Sequence, residues 1–254
     1  MLKLFDSHAH YNDEAFDEDR DSLLKEIYNS GVSRIMNVSY DMASSYKTAE
    51  LVNKYPFIFG AVGVHPHDSK DIRPSDYDGL KELAKNEKIL AIGETGLDYH
   101  YDNSPRDIQK REFANHLALA EELKMPVIIH EREAVKDTLD ILKASKATGV
   151  YHCFSGSVET AKIALNLGYY ISFSGVVTYK NARHVKEAAA YIPSDRILIE
   201  TDCPYLSPTP KRGERNNSMN LIYTIGEVAS LRGITPQEAA EITYNNAVRC
   251  FRLD

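Results

Sequence analysis

Histidine and carboxylate residues follow apolar runs at several points of this chain, and the first run sets the pattern. His8 and His10 stand two residues apart just after the apolar stretch 2–5. Side chains two positions apart in a strand lie on the same face, so both imidazoles are expected to point the same way. Two adjacent imidazoles supply half of the ligands of a typical metal site.

Later apolar runs end in the same residue types. The candidates that follow them are His65, Glu94, His130, His152 and Asp202. Neutral imidazoles and carboxylates suit Zn, Mn, Fe or Mg, and a set of this size exceeds what one tetrahedral ion requires. The sequence therefore predicts two divalent ions that share a bridging carboxylate. Paired ions of this kind clamp a phosphoryl or carbonyl group and activate water at neutral pH.

Eight short apolar runs, separated by amphipathic segments, must position these residues. They cover residues 3–7, 34–40, 57–64, 89–94, 126–130, 149–153, 169–173 and 196–200. Helix starts are predicted at SPRD (104–107) and TPQE (235–238), which resemble capping sequences with proline at the first helical position.

Strand and helix alternating eight times predict an α/β fold, a TIM (β/α)8 barrel formed by one domain over residues 1–254. An open doubly wound sheet is the competing architecture, but no glycine-rich turn follows the first strand. The active site of such a barrel lies at the C-terminal ends of the strands, where the candidate ligands fall.

The composition limits the classes of partner that this chain is expected to bind. The chain has 254 residues, 43% of them hydrophobic, and a formal net charge of −7, which speaks against broad electrostatic wrapping of nucleic acid. A phosphate substrate held by metal ions and a few basic side chains remains compatible with that charge. Three cysteines fit reduced thiols in a cytoplasmic protein. No apolar run approaches the ~18–20 residues that span a bilayer, so we expect no membrane contact. Separately, we expect a monomer.

A few basic residues are predicted to contact substrate. Arg132 stands two residues after His130 and should share its face, and Arg215 belongs to a predicted long loop, 207–220, that follows the eighth run. Guanidinium groups bind phosphate through bidentate contacts. We predict Arg132, Arg215 and His65 as substrate-binding residues; the alternatives are a solvated loop for Arg215 and a salt bridge to Glu133 or Glu94 for Arg132.

Six segments together resemble the TatD family of metal-dependent hydrolases, among the amidohydrolase-like barrels. They are DSHAH (6–10), GVHPH (63–67), GETGLDY (93–99), HEREA (130–134), HCFSG (152–156) and ETDCPYL (200–206), in the order of the family and over nearly the whole chain. The resemblance implies that His8, His10, Glu94 and Asp202 hold one ion. It also implies that Glu94 bridges to a second ion held by His130 and His152, and that Asp202 orients or deprotonates the attacking water.

The resemblance also implies an activity, a TatD-like deoxyribonuclease that removes nucleotides from single-stranded DNA by hydrolysis of phosphodiester bonds. Some relatives are described as acting on D-aminoacyl-tRNA, so hydrolysis of an ester or amide at the same centre is the alternative. A metal-dependent binding protein without turnover is the third hypothesis. One departure concerns the loop after the eighth strand, where the family often has Arg-Asn-Glu-Pro and this chain has RNNS at 215–218.

Overall fold

Eight parallel strands form the central sheet of the computed structural model, which describes residues 2–253. They are β1 (Leu4–Ala9), β2 (Val32–Val38), β3 (Ile58–Val62), β4 (Ile89–Asp98), β5 (Val127–Arg132), β6 (Gly149–Tyr151), β7 (Tyr170–Phe173) and β8 (Ile197–Ile199). Each strand pairs with the next along the chain, and a bridge between Ala9 and Cys203 brings the segment after β8 back to β1. The predicted (β/α)8 barrel is confirmed.

Helices connect the strands and surround the sheet. Within residues 2–253 they are α1 (Arg20–Asn29), α2 (Met42–Lys54), α3 (Pro74–Leu83), α4 (Arg106–Leu123), α5 (Val135–Lys143), α6 (Val158–Asn166), α7 (Arg183–Tyr191), α8 (Leu221–Arg232) and α9 (Pro236–Cys250). Short 3-10 helices occupy Glu14–Phe16, Pro66–Asp71, Gly175–Thr178 and Ser218–Asn220. The last of these ends the predicted loop 207–220.

Apolar side chains fill the barrel and separate it from the helices. A large cluster packs the helices against the outer face of the sheet. A second cluster fills the interior with side chains from the strands, among them Phe5, Met36, Ile128 and Leu198, and is joined by α9. The helix α9 thereby covers the N-terminal end of the barrel, and the polar candidates are left at the other end.

Two strands are longer than predicted, and this changes which residues reach the site. β4 continues to Asp98 and β5 to Arg132. Gly96, with a φ of +150°, permits the close pairing, because a Cβ there would lie 1.9 Å from the carbonyl oxygen of His130. The extension places Asp98 opposite Arg132.

The two predicted helix starts have different outcomes. Thr235 forms a full capping box with Glu238 at the start of α9, as predicted. α4 begins within SPRD, at Arg106, as predicted, but the predicted cap is wrong, because Pro105 occupies the capping position without a side-chain hydrogen bond. The Ser104 hydroxyl instead donates to the carbonyl oxygen of His67 at 2.7 Å, and thus supports the loop after β3.

Candidate metal centre

Closure of the barrel brings together a first group of candidate ligands, which consists of His8, His10 and Asp202. The amide of His10 donates to the Cys203 carbonyl at 2.8 Å, and the amide of Asp202 donates to the His8 carbonyl at 2.9 Å. These bonds fix the end of β1 against the segment after β8. As a result, His8 Nε2 and His10 Nε2 lie 3.1 Å apart, and Asp202 Oδ1 lies 3.2 Å from His10 Nε2.

The second group forms on the neighbouring part of the rim. His130 Nδ1 lies 2.8 Å from Glu94 Oε1, and His152 Nε2 lies 2.8 Å from the same oxygen. His65 Nε2 approaches it from β3 at 3.5 Å. The imidazoles of His8 and His152 stack with centroids 4.0 Å apart, so the two groups are in direct contact.

Glu94 stands between the two groups with one oxygen toward each. Its Oε2 lies 3.3 Å from His8 Nε2 and 3.7 Å from His10 Nε2, whereas its Oε1 lies toward His130 and His152. A carboxylate in this orientation has the arrangement of a bridging ligand.

Glu94 is buried and Asp202 is partly buried, and both have only imidazoles as ionic partners. Glu94 and Asp202 form no ion pair with lysine or arginine anywhere in residues 2–253. Burial alone would raise the pKa of Glu94, but the His152, His65 and His8 imidazoles hold it well below its usual value. Buried carboxylates of this kind are either paired or coordinate a metal.

Hydrogen bonds to the far ring nitrogens fix the tautomers of two histidines. His10 Nδ1 lies 2.9 Å from the Val38 carbonyl oxygen, and His152 Nδ1 lies 3.2 Å from Glu200 Oε1. Each partner is an acceptor, so each Nδ1 carries the proton and leaves a lone pair on Nε2, the atom that faces the centre. In its neutral form each ring therefore presents a lone pair to the centre and is supported on its far side, as metal-binding histidines are.

His65 has the opposite tautomer. Its Nδ1 accepts a hydrogen bond from the amide of His67 at 3.2 Å, and burial holds its pKa well below the usual value, so the neutral ring carries its proton on Nε2. That nitrogen faces Glu94 as a hydrogen-bond donor. His65 therefore differs from His10 and His152, because it presents an N–H group to the centre and not a lone pair.

The donor set fits divalent metal ions. Ligand atoms of a tetrahedral site lie about 3.3 Å apart when their metal bonds are ~2.0–2.1 Å, and the separations within the first group and between its histidines and Glu94 run from 3.1 to 3.7 Å. Three clusters of candidate ligand residues lie close enough together for one ion: His8, His10 and Glu94; His8, His152 and Glu200; and His65, Glu94 and His130. In the third, His65 presents an N–H group, so only Glu94 and His130 offer lone pairs there.

Comparison with known proteins agrees with this geometry. The family model described as "TatD related DNase" matches residues 5–252. This chain belongs to the TatD family. It is 45% identical to the uncharacterized metal-dependent hydrolase YabD of Bacillus subtilis, over 99% of this chain and 100% of that protein. It is accordingly a metal-dependent hydrolase.

Two further relatives connect the family to nucleic acid and to a solved fold. The 3'-5' ssDNA/RNA exonuclease TatD of Salmonella typhimurium is 32% identical, over 98% of this chain and 99% of that protein. The crystal structure of the TatD homolog YJJV from Escherichia coli superposes with a TM-score of 0.93 at 26% identity, covering 99% of this chain and 98% of that one. No helix within the described residues is long and apolar enough to cross a membrane.

Asp98 belongs to this TatD-family site, although sequence reasoning missed it. Its buried Oδ2 lies 2.9 Å from His67 Nε2 and 3.2 Å from His130 Nε2. Its Oδ1 accepts from the amides of His100 and Tyr101 at 3.0 and 2.9 Å. These bonds hold the pKa of Asp98 far below its usual value despite burial, so the carboxylate is ionised and supports the His130 side of the centre. The GETGLDY segment contained it, but the predicted strand stopped at Glu94.

Glu200 was also missed as a supporting residue. It is fully buried, accepts a hydrogen bond from the Ser172 hydroxyl and lies against His152. Its place in the ETDCPYL segment was the available signal. Its partner lies 48 positions away in the chain, so only the fold joins the two.

The altered loop of this family member is tied to β1. Ser218 Oγ donates to Asp6 Oδ2 at 2.6 Å, and the Thr201 hydroxyl donates to the same oxygen at 2.6 Å. Burial raises the pKa of Asp6 to about 7 in spite of these bonds. The amide oxygen of Asn217 accepts from the Met219 amide at 3.0 Å and caps the 3-10 helix Ser218–Asn220. The RNNS sequence thus forms an ordered connection behind the first group of candidate ligands.

The predicted substrate arginines differ in their surroundings. Arg132 is exposed at the end of β5, with its guanidinium 4.8 Å from the centroid of the Tyr101 ring. Arg215 donates to both carboxylate oxygens of Asp19, at 2.9 and 2.5 Å, and to the Ala15 carbonyl. Its charge is neutralised there, and its role in substrate binding stays a prediction.

Proposed function

We propose that this TatD-family hydrolase removes nucleotides from the end of single-stranded DNA by hydrolysis of phosphodiester bonds, with two divalent ions from among Zn, Mg and Mn. The observation that supports it most is the orientation of Glu94, with one oxygen toward His8 and His10 and the other toward His130 and His152. Two adjacent ligand groups joined by a carboxylate suit two-metal phosphoryl transfer. The exonuclease name of the Salmonella relative supports the choice of substrate.

The ligand assignment follows the two groups. His8, His10, Glu94 and Asp202 would hold one ion, and Glu94, His130 and His152 would hold the other. Bound ions would lower the pKa of water and offset charge on the phosphoryl oxygens. We assign the support of this set to Val38, Glu200 and Asp98, which orient His10, His152 and His130.

Three further side chains would act on substrate and water. Asp202 is the proposed acceptor of the proton from the attacking water, because its carboxylate lies at the centre and is ionised, its pKa being held below the usual value by His10 and His8 in spite of burial. His65 would donate a hydrogen bond from its Nε2–H group to a phosphoryl oxygen. Arg132, exposed beside His130, would donate to a phosphate of the substrate next to the centre.

The test is cleavage of end-labelled single-stranded DNA by metal-stripped protein, with Mg, Mn or Zn added back. We expect stepwise shortening that requires metal and is absent in Glu94→Ala. Glu112→Gln is the matched control, because Glu112 is also a buried glutamate but bonds to Tyr77 and Asn115 away from the centre. Turnover near the wild-type rate in Glu94→Ala would contradict the bridging role. Metal binding without cleavage of DNA, together with hydrolysis of aminoacyl-tRNA or small esters, would favour the alternative substrate class.

A further inference from the structure

Two arginine–tyrosine stacks lie at the open end of the barrel. In the first, here called the β5 stack, the guanidinium carbon of Arg132 lies 4.8 Å from the centroid of Tyr101. In the second, called the β8 stack, that of Arg212 lies 3.9 Å from the centroid of Tyr179. Both arginines are exposed. Within residues 2–253, neither guanidinium has a carboxylate within ion-pair distance or a hydrogen-bond acceptor in the protein.

Other arginine stacks of this chain show what the two lack. Arg106 stacks on Tyr99 at 4.1 Å, but its guanidinium forms an ion pair with Asp102. Arg215 stacks on Phe16 at 4.9 Å, but it pairs with Asp19. An aromatic ring holds each of Arg132 and Arg212 in place while the charge and the donors remain free for a ligand.

The β5 stack is joined directly to the second ligand group. The amide of Tyr101 donates to Asp98, which also bonds His130 and His67. The Tyr101 ring meets the edge of His67 with centroids 5.3 Å apart, and 55% of the tyrosine surface is exposed. Arg132 follows His130 by two residues on the same strand. Both members of the stack therefore lie beside the centre and reach solvent.

The β8 stack lies on the other side of the centre. Tyr179 follows the 3-10 helix after β7, and its hydroxyl donates to the Ser207 carbonyl at 3.0 Å, in the loop after β8. Burial raises the pKa of Tyr179, and the nearby Asp202 carboxylate adds to the effect. The strands follow one another in order around the barrel, so the β4–β5 rim lies across the mouth from the β8–β1 rim.

We infer that the β5 and β8 stacks are two nucleotide subsites that hold successive parts of a single strand on either side of the metal centre. The inference rests on the proposed function and narrows its substrate to an oligonucleotide that crosses the mouth. In each subsite the guanidinium donates to a backbone phosphate, and a base stacks on the tyrosine or on the guanidinium plane. Two local cations at the mouth reconcile a polyanionic substrate with a chain of net charge −7.

The test measures binding separately from cleavage. A fluorescent oligothymidylate is titrated into Glu94→Ala protein, and the dissociation constant is followed by anisotropy between 50 and 200 mM salt. Each of Arg132→Met and Arg212→Met, added to that background, is expected to weaken binding about tenfold at the low-salt end. Each is also expected to reduce the slope of log affinity against log salt by about 0.7, the value for one phosphate contact on a single strand.

Matched variants separate the effects of charge and of base stacking on binding from the effects of structural perturbation. Arg106→Met removes a stacked arginine whose charge Asp102 already neutralises, and it should leave the slope unchanged. Arg132→Lys should keep the slope, because the charge remains. Tyr101→Leu should weaken binding about tenfold, whereas Tyr101→Phe should bind like its parent, because a base stacks on any aromatic ring.

The outcomes distinguish the inference from the function on which it rests. Slopes and affinities that are unchanged in both methionine variants, while wild-type protein still shortens DNA, would refute the subsites and leave the nuclease proposal standing. Failure of the Glu94→Ala parent to bind oligothymidylate, together with failure of wild-type protein to cleave DNA, would refute the proposed function itself. A loss of slope in Arg132→Met alone would reduce the binding surface to the β5 side and overturn the two-sided arrangement.

Discussion

Glu200→Gln tests the charge behind His152, one of the proposed metal ligands. Glu200 is fully buried, its Oε1 lies 3.2 Å from His152 Nδ1, and the Ser172 hydroxyl donates to its other oxygen. Glutamine has nearly the same shape, and its amide oxygen still accepts from His152, so the ring orientation is kept. The negative charge that makes Nε2 more basic is lost, and the amide nitrogen that replaces the other oxygen donates to the Ser172 hydroxyl oxygen in place of accepting from it.

The expected effect follows from the position of this carboxylate. Mutation of a residue that orients a metal-bound histidine typically costs 10–100-fold in metal affinity or activity, which is about 1.4–2.7 kcal/mol. We expect that weakening in the site to which His152 contributes. The site formed by His8, His10 and Asp202 should keep its affinity, because its support comes from the Val38 carbonyl.

Calorimetric titration of metal-stripped protein with Mn or Zn measures both sites. The expected result is an unchanged number of sites with one dissociation constant raised. Thermal unfolding of the metal-free proteins is the control, since a variant that has lost its packing would also unfold earlier without metal. If the dissociation constant of each site is the same in the variant as in the wild-type protein, the view that Glu200 affects metal binding by His152 is refuted.

Three other predictions concern stability. Chelation should lower the melting temperature by about 5–10 °C where metal had been present at about 100 times its dissociation constant, and scanning fluorimetry should show no such shift in Glu94→Ala. Buried His116, whose pKa is lowered by burial, favours the neutral ring in the folded state. Stability should therefore fall as the pH drops below about 6.5, and His116→Gln should reduce that loss in urea titrations of metal-free protein. Gly96→Ala should prevent folding or lower the free energy of unfolding by several kcal/mol, because its Cβ would lie 1.9 Å from the His130 carbonyl oxygen. The control is Gly226→Ala in α8, where the added Cβ meets no atom within 4 Å, and this variant should unfold at an equal or higher urea concentration.

The strand positions of the ligands could be predicted because a short period connects them. His8 and His10 share a face by alternation, and each later candidate follows an apolar run that the sequence displays. The supporting carboxylates are different. Asp98 stands four residues after Glu94, an even spacing that keeps both side chains on one face, but the predicted strand ended at Glu94 and only the fold shows that β4 continues to Asp98.

Whether each arginine is free or forms an ion pair could also be learned only from the fold. Arg132 and Arg215 were both predicted to contact substrate, the first from the end of a strand and the second from the loop 207–220. In the structure Asp19, 196 positions away in the chain, neutralises Arg215. Arg132 instead meets Tyr101, which no sequence pattern singled out. Partners at such separations depend on how the loops cross the mouth, and local periodicity carries no information on that.

The barrel interior explains how buried carboxylates are tolerated at its mouth. Ile128, Val150 and Leu198 lie in the apolar interior cluster. Each precedes a polar residue of the centre by two positions, namely His130, His152 and Glu200. Because alternate residues of a strand share a face, the same inward row is apolar at one level and polar at the next.

This layering gives the apolar interior a part in the chemistry. The apolar level lies directly beneath the imidazoles and carboxylates and is closed from the other end by α9, which contributes Tyr244 and adjoins Phe251. Exclusion of water from that side lowers the effective dielectric constant below the site, so charges there interact more strongly than at the surface. Unpaired carboxylates would be costly in such surroundings. The chain meets this requirement by giving Glu94 five imidazole neighbours, at 2.8 to 3.7 Å, and these are the residue types that bind divalent metal ions.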